Sequence, residues 1–277
     1  MFRSVLERDT ATRPASIFDP ISARLAERVG FEIGVLGSSI ASNVVLGAPE
    51  ISVITLPELA EQVRRISRAS AMSFFVDADH GYGNALSVMR TIEDLEAAGA
   101  AGACIEDNNL PRPFGKAPEP LISLAEFESK LKAAVAARQD PGFVIIGRTD
   151  AREARGMEEV LRRVEACNRA GVDAIFLAGA LRYTADDLHA VAGATRLPLV
   201  GSTMTTDPKL VAECRIRIGP WSHLPIRAAT KALHAAYEHL HAGRPDAELR
   251  ETATSRELDN FATADEEYKS LTETYLT

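Results

Sequence analysis

Eight short apolar runs punctuate the chain, each ending on a polar or glycine-containing cluster: Ala15–Phe18, Phe31–Leu36, Met72–Val76, Ala103–Ile105, Phe143–Ile146, Ala174–Ala178, Leu197–Val200 and Cys214–Ile218. Between most of them lie helix-length segments whose apolar residues recur at helical spacing. Strands alternating with helices require parallel pairing, and eight such units predict an α/β fold of the (β/α)8 TIM-barrel type. In that fold the C-terminal strand ends form the active-site face, so the residues after each run carry the chemistry. Here these are Asp19, Ser38-Ser39, Asp77 with Asp79, Glu106-Asp107, Arg148-Thr149-Asp150, Gly179, Ser202-Thr203 and Ser222-His223. Close pairs of acids beside an arginine and a histidine predict a metal site for an anionic substrate.

Helices are expected over Ile21–Val29, from Thr55 as cap to Arg68, and from Asn84 as cap to Ala98 with Gly99 closing it. Further helices fit Met157–Ala170, Ala185–Ala192, Asp207–Glu213 and Leu224–Leu240. Ser38-Ser39-Ile40-Ala41-Ser42 reads as a loop of small residues whose backbone N–H groups can approach an anion. Asn108–Ser123 contains Pro111, Pro113, Pro118, Pro120 and Gly115; it cannot be a helix, and its length makes it a candidate lid.

Length and the absence of a Gly/Ser- or Pro-rich linker predict one barrel domain over residues 1–277, with a C-terminal helical extension from about 245. The formal charge of −8 is uneven: residues 245–277 hold nine acids and three bases. No Lys/Arg cluster supports nucleic-acid binding, and no apolar stretch is long enough for a membrane span. Leu249, Leu258, Phe261, Tyr268, Leu271, Tyr275 and Leu276 are too many large apolar residues for a free tail, which is expected to lie against a barrel, its own or a neighbour's. The isolated Cys104, Cys167 and Cys214 have neither metal-ligand nor disulfide spacing, and together with the lack of an apolar leader they predict a cytoplasmic protein.

Asp77 and Asp79 lie two apart, so an extended strand points both the same way, and Glu106 ends the neighbouring strand. One strand-end acid more often caps the next helix. Three on adjacent strands, with no His or Cys among them, suit Mg²⁺ (Mn²⁺ as an alternative), which binds through a few carboxylates and keeps several waters. Gly81-Tyr82-Gly83 lacks the spacing of a dinucleotide fingerprint and lets the backbone turn away from the metal. Arg148, two before Asp150, suits bidentate binding of a substrate carboxylate or phosphonate, with an internal Arg–Asp ion pair as the plainer reading. His223, at the start of the last helix, either donates to that anion or is a satisfied core histidine. His80 alternates away from the acids and is expected behind them.

Ser38-Ser39, Asp77-Ala78-Asp79-His80-Gly81-Tyr82-Gly83, Ile105-Glu106-Asp107 and Gly147-Arg148-Thr149-Asp150 together resemble the isocitrate lyase/phosphoenolpyruvate mutase superfamily, from about Ala15 to His241. The resemblance implies a Mg²⁺-dependent barrel enzyme acting on keto or hydroxy acids through a pyruvate-type enolate. It also implies a homotetramer, a dimer of dimers, in which the last helix is exchanged between paired subunits.

Within the superfamily, the loop Leu110-Pro111-Arg112-Pro113-Phe114-Gly115-Lys116 lacks the cysteine and histidine of the C–C lyases and the phosphoryl cradle of the mutases. It resembles the oxaloacetate decarboxylase branch, as does Ala15-Ser16-Ile17-Phe18-Asp19-Pro20-Ile21-Ser22-Ala23-Arg24. The resemblance implies that Asp77 holds the metal, Ser39 binds the substrate and Arg148 and His223 contact its anion; the residue pattern adds Asp79 and Glu106 to the metal site, Ser38 to the substrate loop and Phe114 to the lid over the substrate. Arg148, His223, Tyr82 and Glu50 are the candidate catalytic residues, Tyr82 as a proton source and Glu50 standing where the superfamily usually has aspartate. The expected reaction is decarboxylation of oxaloacetate to pyruvate and CO₂. The alternatives are a C–C lyase or hydrolase of the 2-methylisocitrate lyase type, a P–C bond hydrolase of the phosphonopyruvate type, and a non-catalytic dicarboxylate-binding barrel.

Overall fold

The computed structural model describes residues 2–112, 114–115, 120–179, 182–202 and 205–276. Two compact units divide the chain, Met1–Ser222 and His223–Thr277, so the boundary falls before the helix that follows the last strand. The first unit carries the strands β1 (Ala15–Ser16), β2 (Ile33–Leu36), β3 (Ser73–Asp77), β4 (Gly102–Glu106), β5 (Val144–Thr149), β6 (Ala174–Leu177), β7 (Leu199–Val200) and β8 (Ile216–Ile218). All pair in parallel, each with its neighbours in sequence. The sheet curls back on itself through Thr12, which bridges Ile218: its N–H donates to Arg217 O at 2.8 Å and its carbonyl accepts from Gly219 N at 3.0 Å. Each expected apolar run thus contains or overlaps a strand of an eight-stranded parallel barrel.

Its helices are α1 (Phe2–Leu6), α2 (Pro20–Val29), α3 (Ser38–Leu46), α4 (Leu56–Ala69), α5 (Ala85–Ala98), α6 (Leu124–Ala137), α7 (Ala151–Arg155), α8 (Met157–Ala170), α9 (Ala185–Ala194) and α10 (Pro208–Glu213). Thr55 and Asn84 cap α4 and α5 as expected, and Gly99 closes α5 in the left-handed region. One expectation fails: Ser38-Ser39-Ile40-Ala41-Ser42 is the start of α3 and not a loop. Its small residues hide a helical face: Ile40 and Ala41 are buried, and Gly47 at φ 64° ends the helix.

Strand alternation sorts the core into two layers. Phe74, Val76, Ala103, Ile105 and Ile145 point outward into the helical layer. Phe75, Cys104, Val144, Ile146 and Phe176 point inward, where Phe2, Val5 and Leu6 of α1 join them. Burying an aromatic ring such as Phe75 contributes roughly 2–3 kcal/mol. The same parity carries Asp77, Glu106 and Arg148 inward, two residues beyond Phe75, Cys104 and Ile146.

The second unit contains α11 (Leu224–His241), α12 (Asp246–Arg250), α13 (Arg256–Ala262) and α14 (Asp265–Tyr275). Within it His239 is buried and its Nε2 lies 2.9 Å from Pro245 O. Among the described residues no helix is long and apolar enough to cross a membrane.

Candidate active site

The register of β4 on β5 sets Glu106 directly beside Arg148, while Asp77 ends β3 opposite Cys104. The Arg148 guanidinium lies among these ends. Its Nη1 is 2.8 Å from Asp77 Oδ2 and 2.9 Å from Glu106 Oε2, and its Nε donates to Asp150 Oδ2 at 3.2 Å. The guanidinium carbon sits 5.2 Å from the centre of the Phe176 ring, which faces it from β6. Among the described residues Nη2 carries no hydrogen bond, so the internal ion pair and a free donor coexist in one side chain.

Asp79 follows β3 at φ +47°, in a turn that continues through Gly81 (φ +76°), Tyr82 (φ +58°) and Gly83 (φ +146°). A Cβ on Gly81 would lie 2.4 Å from Val88 Cγ2, so the turn needs glycine for space as well as for conformation. Burial, reinforced by the Asp77 charge, holds the Asp79 carboxyl well above the ordinary carboxylate range, with the Ser38 side chain opposing the shift. Burial also raises the Glu106 carboxyl; Arg148 opposes the shift and Asp77 adds to it. Ser38, heading α3, donates from Oγ to Glu50 Oε1 at 3.0 Å, which draws an otherwise exposed acid into the cluster. Ser39 follows at the helix start, half-buried.

Tyr82 keeps its hydroxyl buried and without a partner, and burial together with the Asp79 and Asp77 charges raises its pKa. His80 is buried, its ring centre 5.9 Å from that of Tyr82. Burial and the Lys130 charge lower it to about 4, so its ring is neutral.

Phe114 is fully exposed, with no described neighbour burying its ring. The paired base of its loop, where Asn108 bridges Leu121 and Asn109 N donates to Pro120 O at 3.0 Å, leaves the ring beyond the packed layer. Pro113 and Lys116–Glu119 of the expected lid, and Thr203 and Met204, lie outside the described residues. His223 belongs to the second unit, where it is the N-cap residue of α11. Asp19, at the end of the first run, is a helix cap: its carboxylate accepts from Ser22 N at 2.6 Å.

Asn108 is a site residue that the strand-end pattern did not single out. Its Nδ2 donates to Glu106 Oε1 and to Asp150 Oδ2, both at 3.0 Å, and so joins two acids that would otherwise repel. The signal was available, since Asn108 follows Glu106 at the same two-residue spacing that relates Asp79 to Asp77.

Whether these residues suit a divalent cation turns on charge and on an orphaned atom. Among the described residues, Asp77, Glu106 and Asp150 pair with one cation, Arg148, with Asp79 and Glu50 adding further negative charge, and Asp77 Oδ1 is buried with no hydrogen-bond partner. Among the described residues no three His, Cys, Asp or Glu side chains are placed as a direct ligand cage. A cation that takes one or two carboxylates and keeps its remaining waters, as Mg²⁺ does, fits this donor set; a cage-demanding metal does not.

The model of the family described as phosphoenolpyruvate phosphomutase matches residues 2–241. An oxaloacetate decarboxylase of Rhodopseudomonas palustris (strain BisA53) is 49% identical over 266 residues, 95% of this chain and 88% of that protein. Another, of Bradyrhizobium diazoefficiens, is 48% identical over 256 residues, covering 91% of this chain and 88% of its own. Among solved structures, a phosphonopyruvate hydrolase in complex with oxalate and Mg²⁺ matches with a TM-score of 0.86 at 27% identity, covering 100% of this chain and 98% of that one.

Proposed function

The chain belongs to the phosphoenolpyruvate phosphomutase family, and from that premise we propose that it decarboxylates oxaloacetate to pyruvate and CO₂. The observation that carries the reading within the family is a site without a thiol acid. The loop after Glu106 contains neither cysteine nor histidine, and Cys104, Cys167 and Cys214 are all buried. Burial raises the thiol of Cys104, the one cysteine beneath the acids, far above its ordinary range. A C–C lyase must protonate a departing carbanion, whereas departing CO₂ needs no proton.

Asp77 would hold Mg²⁺ through Oδ1, with Asp79 and Glu106 supplying the surrounding negative charge. The bound ion supplies Lewis-acid polarisation of the substrate carbonyl, which makes the bond to the leaving carboxylate easier to break. The first N–H groups of α3, at Ser38 and Ser39, have no partner within the helix and bind a substrate carboxylate at its positive end. Glu50 orients the Ser38 hydroxyl. Arg148 presents Nη2 to the oxygen on which charge develops; its other nitrogens are already fixed by acids, so it is preorganised and needs little rearrangement. Tyr82 keeps its hydroxyl protonated and is the side chain assigned to protonate the carbon that lost CO₂, with solvent water returning the proton to the phenolate.

The same reading includes a homotetramer. Supporting it, α11 exposes Leu233, Tyr237 and Leu240 on one face, and α14 exposes Tyr268, Leu271 and Tyr275, apolar surface of the kind that subunit contacts cover. Light scattering on the purified protein tests it, and a monomer at micromolar concentration overturns it.

The test of the activity assays oxaloacetate, 2-methylisocitrate and phosphonopyruvate with Mg²⁺ and with excess EDTA. Metal-dependent release of pyruvate and CO₂ from oxaloacetate alone is expected. Efficient cleavage of 2-methylisocitrate, with oxaloacetate consumed no faster than by free Mg²⁺, refutes the reading.

A further inference from the structure

We propose that Arg163, on α8 and outside the site, is a positioning residue that sets the orientation of Arg148 through Asp107 and Asp150. Arg163 is 2% exposed, and its donors are divided among three segments. Nη1 donates to Asp107 Oδ2 at 3.1 Å, Nη2 to Ile122 O at 2.7 Å, and Nε to Glu159 Oε1 at 2.9 Å, while the guanidinium carbon lies 5.6 Å from the Phe127 ring centre. Asp107 is completely buried and points outward, on the opposite side of the strand end from Glu106. Its second oxygen, Oδ1, accepts the backbone N–H of Asp150 at 3.0 Å, and its carbonyl accepts Ile122 N at 3.0 Å. Arg163 therefore clamps, from behind, both ends of the segment running from Asp107 to Ile122 and the residue that follows β5.

From Asp150 the chain of contacts runs forward into the site. Its Oδ2 receives Arg148 Nε at 3.2 Å and Asn108 Nδ2 at 3.0 Å. A shift of Asp150 would rotate the guanidinium away from Asp77 and Glu106 and re-aim Nη2. Stability alone explains the Arg163–Asp107 pair poorly, since a buried ion pair is commonly no more stabilising than apolar residues of the same volume. What apolar residues could not do is hold three segments at fixed hydrogen-bond distances.

The inference rests on the decarboxylase reading only for the choice of substrate, and its test has a readout free of that choice. Arg163→Lys keeps the charge but gathers its donors on one nitrogen, which cannot reproduce the separate positions of Nε, Nη1 and Nη2 on Glu159, Asp107 and Ile122. Hydrogen exchange of the intact protein should quicken at peptides spanning Asp150 and Ile122 while those of β2 and β3 stay unchanged. In a double-mutant cycle with Asp150→Asn, read below the melting transition, Arg163→Lys should lower kcat/KM for oxaloacetate about tenfold alone and by less than about twofold in the Asp150→Asn background. Should Arg163→Lys not fold, Glu159→Gln, at the outer end of the network, replaces it in both measurements with a smaller loss of the same pattern. Exchange that rises uniformly, or losses in kcat/KM that add, overturns the proposal. A wild type inert towards oxaloacetate refutes the decarboxylase reading instead, and the exchange pattern still decides the role of Arg163.

Discussion

Arg148 and Asp77 meet at 2.8 Å although 71 residues separate them, and the nitrogen that binds Asp77 also binds Glu106 at 2.9 Å. One guanidinium thus counters acids from two neighbouring strands and, through Nε, a third from its own. Arg148→Lys is expected to lower kcat/KM about 100-fold or more, because an ammonium cannot occupy three carboxylates and still present a free planar donor. Steady-state kinetics check it, and a loss below about threefold would return Arg148 to the role of an internal ion pair.

Asp77→Asn should leave the protein folded yet inactive. With Oδ1 replaced by a neutral amide atom, the increase in melting temperature on adding Mg²⁺ to the wild type should vanish in the variant. Chelation of the wild type with excess EDTA should remove activity, and Mg²⁺ or Mn²⁺ should restore it. Full activity under EDTA, or an unchanged Mg²⁺ shift in Asp77→Asn, contradicts the assigned ligand.

Gly81→Ala is expected to cost about 1–3 kcal/mol of stability and to reduce turnover of the surviving folded protein. The new methyl group would meet Val88 Cγ2 at 2.4 Å in a residue at φ +76°, and the displaced turn carries Asp79 and Tyr82. Denaturant melts and kinetics on the same preparation separate the two effects.

Asp19→Ala provides the contrast. Asp19 also follows a strand, but its carboxylate is spent on the N-cap of α2. Its loss should cost about 1 kcal/mol and leave kcat/KM within about twofold. A larger catalytic defect would move Asp19 from scaffold to site.

The order of strands, their parallel pairing and the inward parity of Asp77, Glu106 and Arg148 were legible in the chain, because apolar alternation and the two-residue period of a strand are local properties. Asp77-Ala78-Asp79-His80-Gly81-Tyr82-Gly83 likewise announced a tight turn beside acids, since the conformation needed there is written in its glycines. The helical state of Ser38–Leu46 was not legible: small polar residues have weak local preference, and burial of Ile40 and Ala41 in the folded chain decided it. Nor could spacing reveal that Arg148 is shared by Asp77, Glu106 and Asp150, that Asn108 joins two of those acids, or that Asp19 caps α2. Those roles depend on strand register and on distances across the barrel, which exist only once the sheet has curled and its ends stand side by side.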